Sequence, residues 1–76
     1  MTMRVRVSLY SALRIDRFAE DEVELPEGAT VIDLANQLQI ALQEIGIVMV
    51  NARSGTFQQG LQPGDRITLI PPIGGG

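Results

Sequence analysis

A single stretch of the chain, residues 30–45, carries apolar side chains at helical spacing, and that limits the fold more than any other feature. Val31, Leu34, Ala35, Leu38, Ala41, Leu42 and Ile45 lie on one face of a helix. Thr30 and Asp33 stand at capping-box spacing, with the acid near the positive end of the helix dipole. Gly46 suits the left-handed position that closes a helix. One helix can cover only one face of a sheet, so any strands around it must form an α+β layout with the helix on one side.

The strands flank this helix in pairs. Met3-Arg4-Val5-Arg6-Val7-Ser8-Leu9 alternates apolar with polar, which puts Met3, Val5, Val7 and Leu9 on the inner face. Ser11 to Asp21 reads as a loop with Leu13 and Phe18 turned inward. Glu22-Val23-Glu24-Leu25 is a second strand, ended by Pro26-Glu27-Gly28. Ile47-Val48-Met49-Val50 is short, continuous and rich in β-branched residues, as a central strand is. Asn51 to Gly60 reads as a loop, and Pro63-Gly64-Asp65 as a turn. Arg66-Ile67-Thr68-Leu69-Ile70 is the last strand, with Ile67 and Leu69 inward, and Pro71-Pro72 stops it. The order ββαββ is that of the β-grasp, or ubiquitin-like, fold. A ferredoxin-like fold needs a second helix between the last strands, and residues 51–63 show no helical period. The expected organisation is a β-grasp domain over residues 1–70 and an extended flexible tail over 71–76.

Composition removes most enzymatic chemistry. A chain of 76 residues makes one domain. At this size only about 60% of the unfolded surface is buried, which leaves little room for a deep internal site. There is no Cys, His, Trp or Lys, so a disulfide framework, a zinc site of the usual ligands and Ser–His or Cys–His nucleophilic catalysis are excluded. The formal charge of −3 argues against nucleic acid as a partner. No apolar run reaches the roughly 20 residues that span a bilayer, and residues 1–9 are no signal peptide. The cytoplasm is the default expectation.

The candidate reactive group is therefore the end of the chain, Pro71-Pro72-Ile73-Gly74-Gly75-Gly76. The prolines fix φ and donate no hydrogen bond, so the chain leaves the sheet stiff and extended. Six residues reach up to about 20 Å. Glycines without Cβ can thread a narrow channel and leave the terminal carboxylate uncrowded. A carboxylate is a poor electrophile until activated, and this chain has no residue to activate it. A partner must do so, with ATP.

Four segments resemble the MoaD/ThiS family of sulfur carriers, in particular the small subunit of molybdopterin synthase. They are Leu9-Tyr10-Ser11-Ala12-Leu13-Arg14, Met49-Val50-Asn51, Leu61-Gln62-Pro63-Gly64-Asp65-Arg66-Ile67 and Ile70-Pro71-Pro72-Ile73-Gly74-Gly75-Gly76, of which the last two are the specific ones. The resemblance implies that an E1-like enzyme adenylates Gly76 and that a partner's persulfide sulfur replaces AMP. The resulting C-terminal thiocarboxylate donates its sulfur to a biosynthetic intermediate. Gly74 and Gly75 would thread the partner's channel. It also implies that the chain is no enzyme itself and binds no cofactor. If it is the small subunit of molybdopterin synthase, the assembly is the enzyme, this chain is its sulfur-bearing substrate arm, and the catalytic Lys and Arg sit on the large subunit. The Pro-Pro tail points to molybdenum or tungsten cofactor synthesis; the short connection at 44–47 is closer to thiamine-pathway carriers. A ubiquitin-like protein modifier and an inert β-grasp interaction domain are the other readings.

Both faces of the third strand are apolar, and the helix covers only one. The uncovered pair is expected to dock partners, and Val48 and Val50 are assigned that role together with Pro71, Pro72 and Ile73. Arg4 and Arg6, with Arg66 near them, should form a solvated basic edge, and Glu20-Asp21-Glu22-Glu24 a solvated acidic face.

Overall fold

A computed structural model describes residues 1–72. The strands are β1 (Thr2–Leu9), β2 (Glu20–Pro26), β3 (Ile47–Val50), β4 (Arg53–Ser54) and β5 (Arg66–Ile70), with one α-helix, α1 (Val31–Gln37). They form one sheet in the order β2-β1-β5-β3-β4. β1 pairs antiparallel with β2 and parallel with β5, while β3 is antiparallel to both β5 and β4. This is the expected β-grasp, with the C-terminal strand at the centre of the sheet.

The alternation in β1 translates directly into packing. Met3, Val5, Val7 and Leu9 are all buried, and so are Val23 and Leu25 of β2 and Ile67 and Leu69 of β5. Val31, Leu34 and Ala35 of α1 close the core over this face. Full burial of such side chains contributes roughly 1.5–3 kcal/mol each. Leu13 is buried and Phe18 packs against the same cluster. The capping box forms: Thr30 Oγ1 accepts from the Asp33 N–H at 3.3 Å, and Asp33 Oδ2 accepts from the Thr30 N–H at 2.9 Å. Two further first-turn amides, of Val31 and Ile32, donate to the carbonyls of Gln59 and Phe57 in the 55–60 loop.

The helix is shorter than the expected 30–45. It ends at Gln37, Gln39 turns left-handed at φ 58°, and the chain resumes as a 3-10 turn over Leu42–Glu44. The cause lies elsewhere in the chain. The Arg17 guanidinium takes the carbonyls of Leu38 (3.1 Å), Gln39 (2.9 Å) and Leu13 (3.1 Å). Carbonyls that would accept from the next helical turn are thereby occupied. The apolar period does not run through the break: Ile40, off the expected face, is buried and Ala41, on it, is exposed, while Ile45 still reaches the core. Gly46 does not close the helix and has no positive φ. The two-residue strand β4 falls inside the expected 51–60 loop. It follows from a turn at Asn51 (φ 53°) and Ala52 (φ 65°), with Val50 paired to Arg53. Two consecutive left-handed residues make the tight turn whose twist matches a hairpin.

Val48 and Val50 are 7% and 5% exposed and belong to the core. Their assignment to a docking surface is therefore corrected. In the register, Val50 stands opposite Ile67 and Val48 opposite Leu69, both on the helix side of the sheet. The residues turned away from the helix are Ile47, 39% exposed, and Met49, half-buried.

Candidate functional site

Among the described residues no element covers the face of the sheet opposite α1, and the central strand β5 leads from it into Pro71 and Pro72. Ile47 of β3 pairs with Ile70 of β5, and Met49 with Thr68. In β1, Ser8 stands beside Thr68 and Arg6 beside Arg66. Leu9 is the register partner of Leu69, so Tyr10 comes next to Ile70, and the Tyr10 N–H donates to the Leu69 carbonyl at 3.2 Å. A row Tyr10–Ile70–Ile47 thus crosses the sheet where the chain leaves it. Met49 extends the row inward, and Arg6 and Arg66 stand at its far end. Tyr10, Met49, Ile70, Arg6 and Arg66 line one shallow depression of about 310 Å³. Aromatic residues, Met and Arg are the types enriched in protein interfaces, which makes this face a suitable docking surface.

Local contacts fix its members. Arg14 Nε donates to the Leu9 carbonyl at 2.6 Å, and its guanidinium lies 5.5 Å from the centre of the Tyr10 ring. Tyr10 is thereby held on the open face despite 46% exposure. Arg6 Nε donates to Glu20 Oε2 at 2.7 Å. That hydrogen bond, and then the Glu20 charge, raises the Arg6 pKa above the ordinary guanidinium value. The pair is exposed and adds little to stability. Arg66 stands near Arg6 as expected, and Glu20 answers part of the acidic run.

The Val-Asn and Gly-Asp segments are tied together. Asn51 Oδ1 accepts from the Arg66 N–H at 2.9 Å, and Asn51 Nδ2 donates to Asp65 Oδ1 at 2.9 Å. Asp65 Oδ2 closes its own turn by accepting from the Gln62 N–H at 2.8 Å. Gly64 takes the left-handed conformation (φ 83°) that this turn needs, and its N–H reaches the Arg4 carbonyl at 2.8 Å. These residues hold the start of β5 in register.

Of the residues expected to dock partners, Pro71 is half-buried and Pro72 exposed. Ile73, Gly74, Gly75 and Gly76, including the expected sulfur-carrying end, lie outside the described residues. Among the described residues, no three His, Cys, Asp or Glu side chains gather as a metal site, and no helix is long and apolar enough to cross a membrane.

The ThiS family model matches residues 8–76, nearly the whole chain and through its glycine end. The chain belongs to the ThiS family. Solved structures agree on the fold. A putative molybdopterin converting factor subunit 1 from Pyrococcus furiosus is 27% identical, with a TM-score of 0.77 over 93% of this chain and 99% of that one. Small archaeal modifier protein 1 from Haloferax volcanii is 18% identical, with a TM-score of 0.78 over 93% of this chain and 99% of that one. Subunit 1 or 2 of the molybdopterin-converting factor from Helicobacter pylori, solved as a complex of the two subunits, is 21% identical, with a TM-score of 0.60 over 97% of this chain and 100% of that one. The last two bear on the fold alone. No curated protein matches the chain. This ThiS-family domain thus has the ubiquitin-like fold shared by MoaD-type subunits and archaeal modifiers.

Proposed function

We propose that the chain is a sulfur carrier whose Gly76 carboxylate is charged and unloaded by other proteins. The observation that carries this reading is the family match, which continues past the last strand through Gly74, Gly75 and Gly76. The fold supports it. β5 is paired on both sides, so a tail joined to it is anchored on the central strand of the sheet. The row of exposed Tyr10 and Ile47 and half-buried Ile70 lies beside the exit, where an E1-like enzyme can grip the body while it takes the tail.

The chemistry follows from the carboxylate. A Gly76 oxygen attacks the α-phosphorus of ATP, pyrophosphate leaves, and an acyl-adenylate forms. The terminal sulfur of a partner's persulfide then attacks the acyl carbon and expels AMP. A thiol breaks the remaining S–S bond, which leaves a thiocarboxylate on Gly76 and a disulfide on the partner. Gly74 and Gly75 thread the channel, and Pro71, Pro72 and Ile73 approach the partner with the body. The likeness to the putative molybdopterin converting factor subunit 1, at 27% identity, favours delivery to a molybdopterin-type intermediate, on the large subunit of a synthase.

A second reading fits the same fold, which small archaeal modifier protein 1 shares: the acyl group of the same adenylate passes to a lysine amine of a target protein and AMP leaves. Intact mass spectrometry of the chain isolated from its host decides between them. Exchange of one oxygen for sulfur at the C-terminus is expected for the carrier, and Gly76 linked to target lysines for the modifier. Deletion of Gly75 and Gly76 should abolish either product; a growth phenotype restored by the truncated chain would refute both.

A further inference from the structure

The outgoing chain meets the body at Gly46. The Ile70 carbonyl at the end of β5 accepts from the Gly46 N–H at 2.7 Å. Pro71 and Pro72 then pass against Gly46. A Cβ on Gly46 would lie 2.6 Å from Pro72 Cα, 2.8 Å from Pro72 N and 3.1 Å from the Pro71 carbonyl carbon. All three are backbone atoms, so no change of rotamer relieves the approach. Gly46 has no positive φ, and the helix has already ended at Gln37. Neither backbone conformation nor helix capping explains a glycine there. The passage of the tail does.

We propose that Gly46 is a positioning residue that sets the direction in which the reactive tail leaves the domain. The proposal rests on the reading of Gly76 as the charged end. A partner that grips the open face and holds Gly76 in its own active site depends on the placement of one relative to the other. Gly46 is fixed by its bond to Ile70 and by the start of β3. The prolines donate no backbone hydrogen bond, so they are the part that yields. Gly46→Ala requires an outward shift of about 0.8 Å, from 2.6 Å to the 3.4 Å of ordinary contact. Two successive prolines with fixed φ carry that shift outward rather than absorb it. A misplacement of about 1 Å can cost up to about a hundredfold in rate. Rotation at the glycines recovers part of this, which leaves a loss on the order of tenfold.

The test uses the full chain, its activating enzyme and the variants Gly46→Ala, Pro72→Gly and their combination. NMR spectra report the fold and the position of Pro72. ATP–pyrophosphate exchange reports kcat and KM. Gly46→Ala is expected to leave the sheet resonances in place, shift those of residues 45–47 and 70–72, and lower kcat with KM unchanged. Pro72→Gly lets the chain turn aside, so adding Gly46→Ala to it should cost less than in the wild type. An undiminished kcat in Gly46→Ala, an equal loss in both backgrounds or a change in KM alone would overturn the proposal. Should Gly46→Ala not fold, Pro72→Gly decides alone: a wild-type kcat there means that the tail's direction does not matter. Absence of exchange with the wild-type chain would sink the carrier reading. The spectra would still show whether Gly46→Ala displaces Pro72, and an unmoved Pro72 would sink the positioning role by itself.

Discussion

Aspartate at either of two adjacent positions, Ile47 or Val48, separates docking from folding. A domain of 76 residues has about 4–11 kcal/mol of stability at the usual 0.05–0.15 kcal/mol per residue. Ile47 is 39% exposed, so Ile47→Asp gives up only part of a side chain's burial and some strand preference, about 1–2 kcal/mol. The new carboxylate stays in water, and the domain remains folded. Val48 is 7% exposed between Leu69 and the core. Val48→Asp loses the valine's burial and places a carboxylate among apolar atoms, several kcal/mol more, together comparable to the whole stability. In an interface, the Ile47→Asp carboxylate would be buried without a partner. A penalty of about 2 kcal/mol there raises KM for activation about thirtyfold. Urea unfolding followed by circular dichroism measures the first quantity, and ATP–pyrophosphate exchange the second. Ile47→Asp should shift KM and keep a cooperative transition; Val48→Asp should have no folded baseline. Ile47→Asp with an unchanged KM, or a folded Val48→Asp with weakened activation, would refute the assignment of faces.

Two further predictions concern the frame that supports this face. Ala52 sits at φ 65° in the β3–β4 turn, where a Cβ is strained by about 1–2 kcal/mol. Ala52→Gly removes that strain against a smaller entropic loss, so the net gain should be about 0.5–1 kcal/mol; a lower midpoint of thermal unfolding would contradict it. Asn51→Ala and Asp65→Ala each break the side-chain bond that joins β3 to the turn before β5, at about 1–2 kcal/mol each. Because both lose the same bond, the double variant should cost less than the sum, and full additivity would mean the bond contributes nothing.

The sequence disclosed some parts of this fold and hid others for identifiable reasons. β1 declares its inner face because Arg4 and Arg6 alternate with Met3, Val5 and Val7, and β5 does so through Arg66 and Thr68. β3 has four apolar residues and no polar marker, so its facing is set by register with β5, a long-range fact. The sequence alone therefore leaves Val48 and Val50 as candidates for the open face, where the structure has Ile47 and Met49. The inward parity of Ile67 and Leu69 could have settled the matter had the pairing been known. The early end of α1 is equally invisible, because Arg17, far from it in sequence, takes the carbonyls of Leu38 and Gln39 just past its end. β4 is only two residues long, and Ala52 gives none of the usual Asn-Gly signal for its turn.

The segments that make the chain resemble its family divide by what they do. Asn51, Gly64 and Asp65 form the junction that sets β3 and the start of β5 in register. They serve the frame of the fold rather than its open face. Arg14 and Tyr10 go one step further, since Arg14 holds an aromatic ring on the open face. On the proposed reading, discrimination among activating enzymes, acceptors and targets would come from residues that leave the fold unchanged: the row Tyr10, Ile47, Met49 and Ile70, the charges Arg6 and Arg66 beside it, and the tail. Exchange of those face residues between this chain and a modifier of the same fold should redirect activation with little effect on stability, because all of them are exposed or half-buried. Exchange of the Asn51–Asp65 junction should change stability and leave the choice of partner as it was. The reverse outcome would place recognition in the frame rather than on the face.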